Sequence, residues 1–276
     1  MRSIPPYPFR LGTTSYILPA DLAPNARHLA GWLGDMELVL FEIEGGPSNF
    51  PTPHEIEALR AAADGRGLTY TVHLPLDIRL EADGGEDHFS MRQARRVIQQ
   101  TLPLQPWAYI VHLDGKEFQT LPVGAVRQPG PELRRWQAHC VQALDRLAGW
   151  AGGPERLALE NLEGYPLDFL EPILERSPVA RCVDVGHLWR DGHDPLPFLE
   201  AALARTRVIH WHGVCPDENG IRRDHRSLAC AQPEPLERVL AWLAAKAYQG
   251  VVTLEVFGEE DLDGSLAALE AAWARL

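Results

Sequence analysis

The sequence predicts an α/β protein with the (β/α)8 TIM-barrel fold, in which residues 1–276 form a single domain. Short apolar runs rich in β-branched residues alternate with longer stretches of Ala, Leu, Glu and Arg at helical spacing. There are eight such pairs, and 276 residues is about the length at which eight pairs close into a barrel. An open doubly wound sheet is the alternative, but no G-x-G-x-x-G turn follows the first strand.

The predicted strands are the apolar runs, and they cover residues 9–15, 37–43, 68–74, 107–113, 157–161, 180–184, 208–212 and 251–257. The predicted helices between them cover residues 20–32, 53–63, 89–101, 131–150, 168–175, 195–204, 234–246 and 262–276. Strict alternation of this kind implies parallel strands joined by right-handed crossovers. The longest irregular segments, 77–87, 114–130 and 213–224, each follow a strand, where such barrels carry their active-site loops.

The composition excludes several classes of protein. With 45% hydrophobic and 23% charged residues, the chain is neither disordered nor fibrous. The net charge of -12 gives no basic field for a nucleic acid, so we expect a small-molecule substrate and no nucleic-acid partner. No window approaches the roughly 18 apolar residues of a membrane span, and no export signal begins the chain. We therefore expect a cytoplasmic protein with no membrane partner.

The four cysteines, Cys140, Cys182, Cys215 and Cys230, are scattered and form no C-x-x-C pair. This spacing favours free thiols that pack in the interior over a disulfide framework or a structural zinc site.

Candidate metal ligands lie at the ends of six consecutive predicted strands. They are His73, His112, Glu160, Asp184, His210 and Glu255. The carboxyl ends of barrel strands converge on one pocket, and imidazole with carboxylate suits zinc, manganese or iron. A buried barrel mouth cannot hold three carboxylates without cations that offset their desolvation. The sequence therefore predicts a divalent-metal centre at the barrel mouth.

The order of these ligands resembles that of the xylose-isomerase-like TIM-barrel superfamily, which includes endonuclease IV and many sugar epimerases, over essentially the whole chain. The resemblance implies one metal ion held by Glu160, Asp184, His210 and Glu255. In the endonuclease IV branch it also implies a second ion on His73 and His112, bridged by Glu160. Two or three divalent ions are therefore expected.

A third ion in that branch is held by a His after the strand-six Asp and by a D-x-H pair after strand seven. The matching residues here are His187, Asp224 and His225, but Asp224 and His225 are adjacent, which departs from the family pattern. His212 lies on the same strand face as His210 and is an alternative ligand or a substrate contact. Tyr16, Asn49 and Trp189 are further candidates for substrate binding.

Four segments carry a narrower resemblance, to the cobamide-remodelling phosphodiesterases. They are residues 11–17 (LGTTSYI), 37–42 (ELVLFE), 71–77 (TVHLPLD) and 253–257 (TLEVF). The resemblance implies hydrolysis of the nucleotide-loop phosphoester of a cobamide, a cobalamin-type corrinoid, to cobinamide phosphate and an α-riboside. A multinuclear centre suits this reaction, since divalent ions acidify water, neutralise the phosphate and stabilise the leaving oxygen.

The alternative is a sugar or sugar phosphate isomerase or epimerase that needs only the four common ligands. There Glu160 and Glu255, the expected catalytic residues in either case, would exchange a proton beside a carbonyl, and His73 and His112 would contact sugar hydroxyls. Abasic-site DNA repair is disfavoured by the net charge and the short early loops. A non-catalytic metal module would have closed coordination rather than ligands at an open barrel mouth.

Overall fold

The strands of the computed structural model, which describes residues 4–43, 46–75 and 88–276, are short and largely buried. They are β1 (Arg10–Thr14), β2 (Asp35–Val39), β3 (Thr69–His73), β4 (Tyr109–Val111), β5 (Leu157–Glu160), β6 (Ala180–Asp184), β7 (Thr206–Trp211), β8 (Gly213–Pro216), β9 (Arg222–Arg226) and β10 (Val251–Leu254). All except β8 and β9 pair in parallel and close in the order β1-β10-β7-β6-β5-β4-β3-β2. The predicted (β/α)8 barrel is confirmed.

The helices surround this barrel. They are α1 (Leu22–Leu29), α2 (Pro53–Ala63), α3 (Phe89–Thr101), α4 (Pro131–Ala151), α5 (Glu171–Leu174), α6 (Val185–Arg190), α7 (Pro195–Ala202), α8 (Pro233–Ala245) and α9 (Glu259–Trp273). Proline occupies the first position of α2, α4, α7 and α8, where its fixed φ suits a helix start and its missing N–H costs nothing. A Thr52–Glu55 capping box also fixes the start of α2.

The barrel interior has two layers of different chemistry. The lower layer is apolar and contains Ile110, Ala158, Cys182, Val208 and Val251, all of them buried. Because side chains on one face of a strand recur every second residue, the next inward positions lie one layer higher. These positions are Glu160, Asp184 and His210, and each lies at or near the carboxyl end of its strand. The apolar layer thus supports an ionic layer at the carboxyl ends of the strands.

The observed elements differ from the predicted ones in several places. Segment 213–224 is not irregular, because β8 and β9 form an antiparallel hairpin there. A short helix, α6, follows β6 without a loop, since the Asp184 side chain accepts the His187 backbone N–H at 2.6 Å and caps the helix. The helix predicted over residues 168–175 is a single turn, α5. The predicted loop 77–87 lies outside the described residues.

The prediction that all four cysteines are free is wrong for one pair. Cys215 in β8 and Cys230 form a disulfide, with their Cα atoms 5.5 Å apart. Cys230 follows Cys215 by 15 positions, and the β8–β9 hairpin brings the two residues together in a way their spacing does not reveal. Cys140 and Cys182 are buried free thiols, as expected.

Within the described residues, no helix combines the length and the apolar character that crossing a bilayer requires.

Asp35 is a fully buried carboxylate in β2. One oxygen accepts a hydrogen bond from the Thr69 hydroxyl, whereas the other has no partner among the described residues. Burial raises the pKa of the Asp35 carboxyl from 3.8 to about 6, and the Thr69 hydrogen bond offsets only part of this effect. The folded chain therefore binds a proton that the unfolded chain releases at lower pH.

We expect the free energy of unfolding to fall as the pH rises through about 6, because Asp35 is protonated more readily in the folded state. Between pH 5 and pH 7 the Asp35 contribution should fall by about 1.3 kcal/mol. Urea unfolding of the wild type and of Asp35→Asn at both pH values isolates the Asp35 contribution to the free energy of unfolding, because the two proteins share all other titrating groups. A stability difference that does not change with pH would contradict the prediction.

Candidate metal centre

The first ligand group consists of His73, His112 and Glu160, at the ends of neighbouring strands β3, β4 and β5. His112 Nε2 lies 2.9 Å and His73 Nε2 3.6 Å from Glu160 Oε2. The other ring nitrogen of His73, Nδ1, lies 2.9 Å from the Leu74 carbonyl oxygen. A hydrogen bond from Nδ1–H to this carbonyl leaves the Nε2 lone pair directed at Glu160, which is the orientation of a metal-ligating histidine.

The second group shares Glu160 and adds Asp184, His210 and Glu255, all four of them buried. One ligand atom of each residue lies within 4.8 Å of the others. His210 Nδ1 is 3.0 Å from Glu160 Oε1 and 3.2 Å from Glu255 Oε2. Glu160 therefore belongs to two groups, with one carboxylate oxygen directed at each.

The third group consists of three histidines, His187, His212 and His225. His187 Nδ1 and His212 Nε2 each lie 3.4 Å from an oxygen of Asp184. His225 Nε2 lies 3.4 Å from Glu255 Oε2, and its ring stacks on His212 at 4.3 Å. The two histidines at the end of strand β7 thus belong to different groups. His210 lies with the buried carboxylates of the second group, and His212 lies with the histidines of the third.

Asp224 is a predicted ligand that belongs to none of these groups but contacts a member of the third. Its Oδ2 accepts a short hydrogen bond from Arg190, and its Oδ1 lies 3.4 Å from His225 Nδ1. Arg190 also pairs with Glu163 at 3.1 Å. Asp224 is therefore placed to orient the His225 ring rather than to join the three histidines.

The predicted substrate contacts lie in two places. Asn49 donates from Nδ2 to the Tyr16 hydroxyl at 2.9 Å, and the Tyr16 ring contacts Phe257 edge-on at 6.2 Å. This pair lies beside the barrel mouth, since Phe257 lines the pocket described below. Trp189 instead packs against the core beside Trp211, with ring centroids 6.1 Å apart.

Glu37 of β2 is a site residue that sequence reasoning missed. It is fully buried, and its Oε2 lies 2.9 Å from Nε2 of His210. The sequence signal was an acidic residue within an apolar strand, in the segment ELVLFE. Its significance depends on strand β7 lying across the barrel interior, which no local pattern reveals.

Charges within the site compensate one another. Burial alone would raise the pKa of Glu160 and Glu255, but neighbouring histidines, His210 above all, hold both pKa values well below the ordinary range. In turn, burial lowers the pKa of His187 and His225, yet the surrounding carboxylates raise the two pKa values to about 9 and about 10. Protons on the histidines thus balance the buried carboxylates, and divalent cations can take over that role.

Several buried polar atoms also lack a hydrogen-bond partner among the described residues. They include Asp184 Oδ2 and His212 Nε2, one from each of the second and third groups. Unpaired oxygen and nitrogen atoms that converge at the ends of neighbouring strands are the donors that a divalent metal ion requires. The residues present therefore fit a metal centre with imidazole and carboxylate ligands.

A pocket of about 430 Å³ lies directly above the ligands. The floor of the pocket consists of His73, His112, His187, His225 and Glu255. Its walls include Lys116, Gln119, Glu163, Tyr165 and Phe257. Its volume is in the range of small-molecule sites. The arrangement is a ligand-rich floor that is open to a substrate.

This combination of a closed parallel barrel and a cluster of candidate metal ligands at its carboxyl end is the arrangement of a TIM-barrel active site. The chain belongs to the xylose isomerase-like TIM barrel family, whose model matches residues 36–275. No curated protein is significantly similar to it in sequence.

Solved structures of several relatives have the same fold. A D-tagatose 3-epimerase-like protein superposes with a TM-score of 0.67 at 17% identity, covering 97% of this chain and 98% of that one. Endonuclease IV from Thermus thermophilus gives 0.64 at 19% identity, covering 97% and 100%. The 3-keto-D-glucoside 4-epimerase of E. coli gives 0.63 at 17% identity, covering 96% and 99%. At these identities the likeness establishes the fold alone.

Gly186 should be required for the third group. A Cβ atom at this position would overlap the imidazole ring of His212. We expect Gly186→Ala to displace that ring, to lower the metal content per folded chain and to reduce stability by about 1–3 kcal/mol. Elemental analysis and urea unfolding measure the two effects. Gly149→Ala in α4 is the matched control, because nothing lies within 4 Å of its added methyl group. Unchanged metal content in Gly186→Ala would refute the assignment.

Proposed function

We propose that this chain is a divalent-metal-dependent phosphodiesterase with a small-molecule substrate. The observation that carries the proposal is the set of ligand groups at the barrel mouth, in which Glu160 is shared by the first and second groups and by a further combination with Cys182 and His210. A single-metal isomerase needs only one such group. Five histidines lie beyond it, namely His73, His112, His187, His212 and His225, and imidazoles in such number beside shared carboxylates are a ligand set for further ions.

Each ligand group would hold metal with its own set of residues. His73 and His112 would hold one ion with Glu160, and Asp184, His210 and Glu255 would hold a second with the same carboxylate. Bound divalent ions would supply Lewis acidity that activates water and neutralises a phosphate. The third group, His187, His212 and His225, would hold a further ion or contact the phosphate directly. Zinc, manganese and iron all suit this ligand set.

The pocket walls supply the groups that would position a substrate. Lys116 is a cationic side chain in the pocket wall, and it can donate to a phosphate oxygen. On another side of the mouth, Phe257 is 47% exposed, although it is a large apolar side chain. The Tyr16 ring contacts it edge-on, and Asn49 binds the Tyr16 hydroxyl. These two rings offer an apolar surface to a bulky ligand.

A cobamide is the substrate that we propose for this reaction. Its support is the resemblance of four segments to the cobamide-remodelling phosphodiesterases, and the described parts of all four border the site. Tyr16, Glu37, His73 and Glu255 each come from one of them. The products would be cobinamide phosphate and an α-riboside. A small-molecule substrate agrees with the net charge of -12, and the cytoplasmic location also stays a prediction.

A sugar or sugar phosphate isomerase or epimerase is the second candidate. The structural neighbours favour it over the cobamide phosphodiesterase, because several are sugar epimerases, although the identities are low. In this case Glu160 and Glu255 would flank one ion, and each carboxylate could exchange a proton at the carbon beside a carbonyl. His73 and His112 would then contact sugar hydroxyls.

One experiment separates the two functions. Metal-loaded protein is incubated with an adenosylated cobamide, and separately with a panel of ketoses and ketose phosphates, and the products are identified by mass spectrometry. Release of an α-riboside with cobinamide phosphate supports the phosphodiesterase. An intact cobamide at full metal loading excludes it, and a converted ketose at a metal ratio near one supports the epimerase.

Removal of one ligand sharpens the distinction. We expect His112→Ala to lose one metal ion per chain and to slow cobamide hydrolysis at least 100-fold, because a ligand of the first group is gone. His54→Ala, in an exposed part of α2, is the matched control and should keep both properties. A His112→Ala protein with normal metal content and normal hydrolysis would contradict the role of the first group.

A further inference from the structure

Glu37 is buried among the metal-ligand groups without belonging to any of them. It is fully enclosed in β2, and its Oε1 has no hydrogen-bond partner among the described residues. Burial of a carboxylate costs free energy unless its partners offset the loss of water. The polar contact that the structure gives its other oxygen, Oε2, is the ring of His210, at 2.9 Å.

His210 connects Glu37 to the ligand carboxylates. Its Nε2 faces Glu37 Oε2, whereas Nδ1 faces Glu160 Oε1 at 3.0 Å and Glu255 Oε2 at 3.2 Å. Glu37 and His210 come from strands that are not neighbours, since β1 and β10 lie between β2 and β7 on one side of the barrel. The contact therefore crosses the barrel interior and fixes the ring from the side opposite the ligands.

With a metal ion on the side of Glu160 and Glu255, this geometry selects one tautomer of His210. A neutral imidazole has one N–H and one lone pair, and an ionised carboxylate can only accept a hydrogen bond. If Nε2–H donates to Glu37, the lone pair lies on Nδ1 and is directed at Glu160 and Glu255. A carboxylate behind a ligating histidine raises the basicity of the ring and fixes its orientation.

We propose that Glu37 is the positioning residue of the metal centre, and that it acts through His210 on the affinity of the second ligand group without touching metal or substrate. The proposal rests on the proposed function only in that the site holds a divalent metal. It does not depend on whether the substrate is a phosphodiester or a sugar.

Asp35 provides a matched control on the same strand. It is also a fully buried carboxylate, two residues before Glu37, but it binds Thr69 rather than the site. Glu37→Gln and Asp35→Asn thus each replace a buried carboxylate by its isosteric amide. Effects that follow from altering a buried charge in β2 should appear in both variants, whereas an effect on the metal centre should appear only in Glu37→Gln.

The test measures metal binding directly. Zinc affinity is determined by competition with a chromophoric chelator, and the Co²⁺-substituted proteins are compared by their visible absorption. We expect Glu37→Gln to bind the metal 10- to 100-fold more weakly and to change the Co²⁺ spectrum, while Asp35→Asn matches the wild type. Wild-type affinity and spectrum in Glu37→Gln, or equal losses in both variants, would overturn the proposal.

A second measurement needs no variant. In the zinc-loaded wild type labelled with ¹⁵N-histidine, the His210 ring should carry its proton on Nε2, whereas a proton on Nδ1 overturns the proposal. Failure of the proposed function can be recognised separately. If the protein binds metal but converts neither a cobamide nor any ketose, the function is excluded, and the metal-binding measurements still test the role of Glu37.

Discussion

The site depends on one physical constraint, the cost of burying several carboxylates close together. Glu37, Glu160, Asp184 and Glu255 are all at most 6% exposed. Such a set of anions is unstable in a barrel interior unless positive charge is interleaved with it. The chain interleaves imidazoles, because each of these carboxylates has a histidine nitrogen within 3.4 Å. Histidine alone among the common cationic side chains can give up its proton to a metal ion near neutral pH and remain as its ligand.

The barrel makes this interleaving achievable with few residues. Parallel strands all present their carboxyl ends on one side, so one inward position from each strand is enough to build the site. The apolar layer beneath, with Ile110, Ala158 and Val208, excludes water from below and leaves the pocket above as the access. Close packing then determines the positions of individual side chains. At Gly186, for example, the absence of a side chain lets the His212 ring approach α6.

Much of this could be predicted from the sequence because the relevant signals are local. Strand–helix alternation predicted the barrel, and a His, Asp or Glu at the ends of successive strands predicted residues such as His73 and Glu160. The contact of Glu37 with His210 was not predictable, since it joins positions 173 residues apart. The disulfide of Cys215 and Cys230 was missed for a similar reason, because the β8–β9 hairpin that brings these residues together has little apolar alternation to reveal it.

The same hairpin accounts for the chain's departure from the family pattern at Asp224 and His225. Asp224 and His225 are adjacent in β9, whereas the two residues of a D-x-H pair lie on one face of a strand. Here His225 has a φ of 52°, which turns its ring toward His212, while Asp224 is directed at Arg190. The third group therefore consists of three imidazoles without a carboxylate of its own. A neutral imidazole set adds no negative charge to a mouth already crowded with carboxylates, and it suits zinc or iron better than magnesium or calcium.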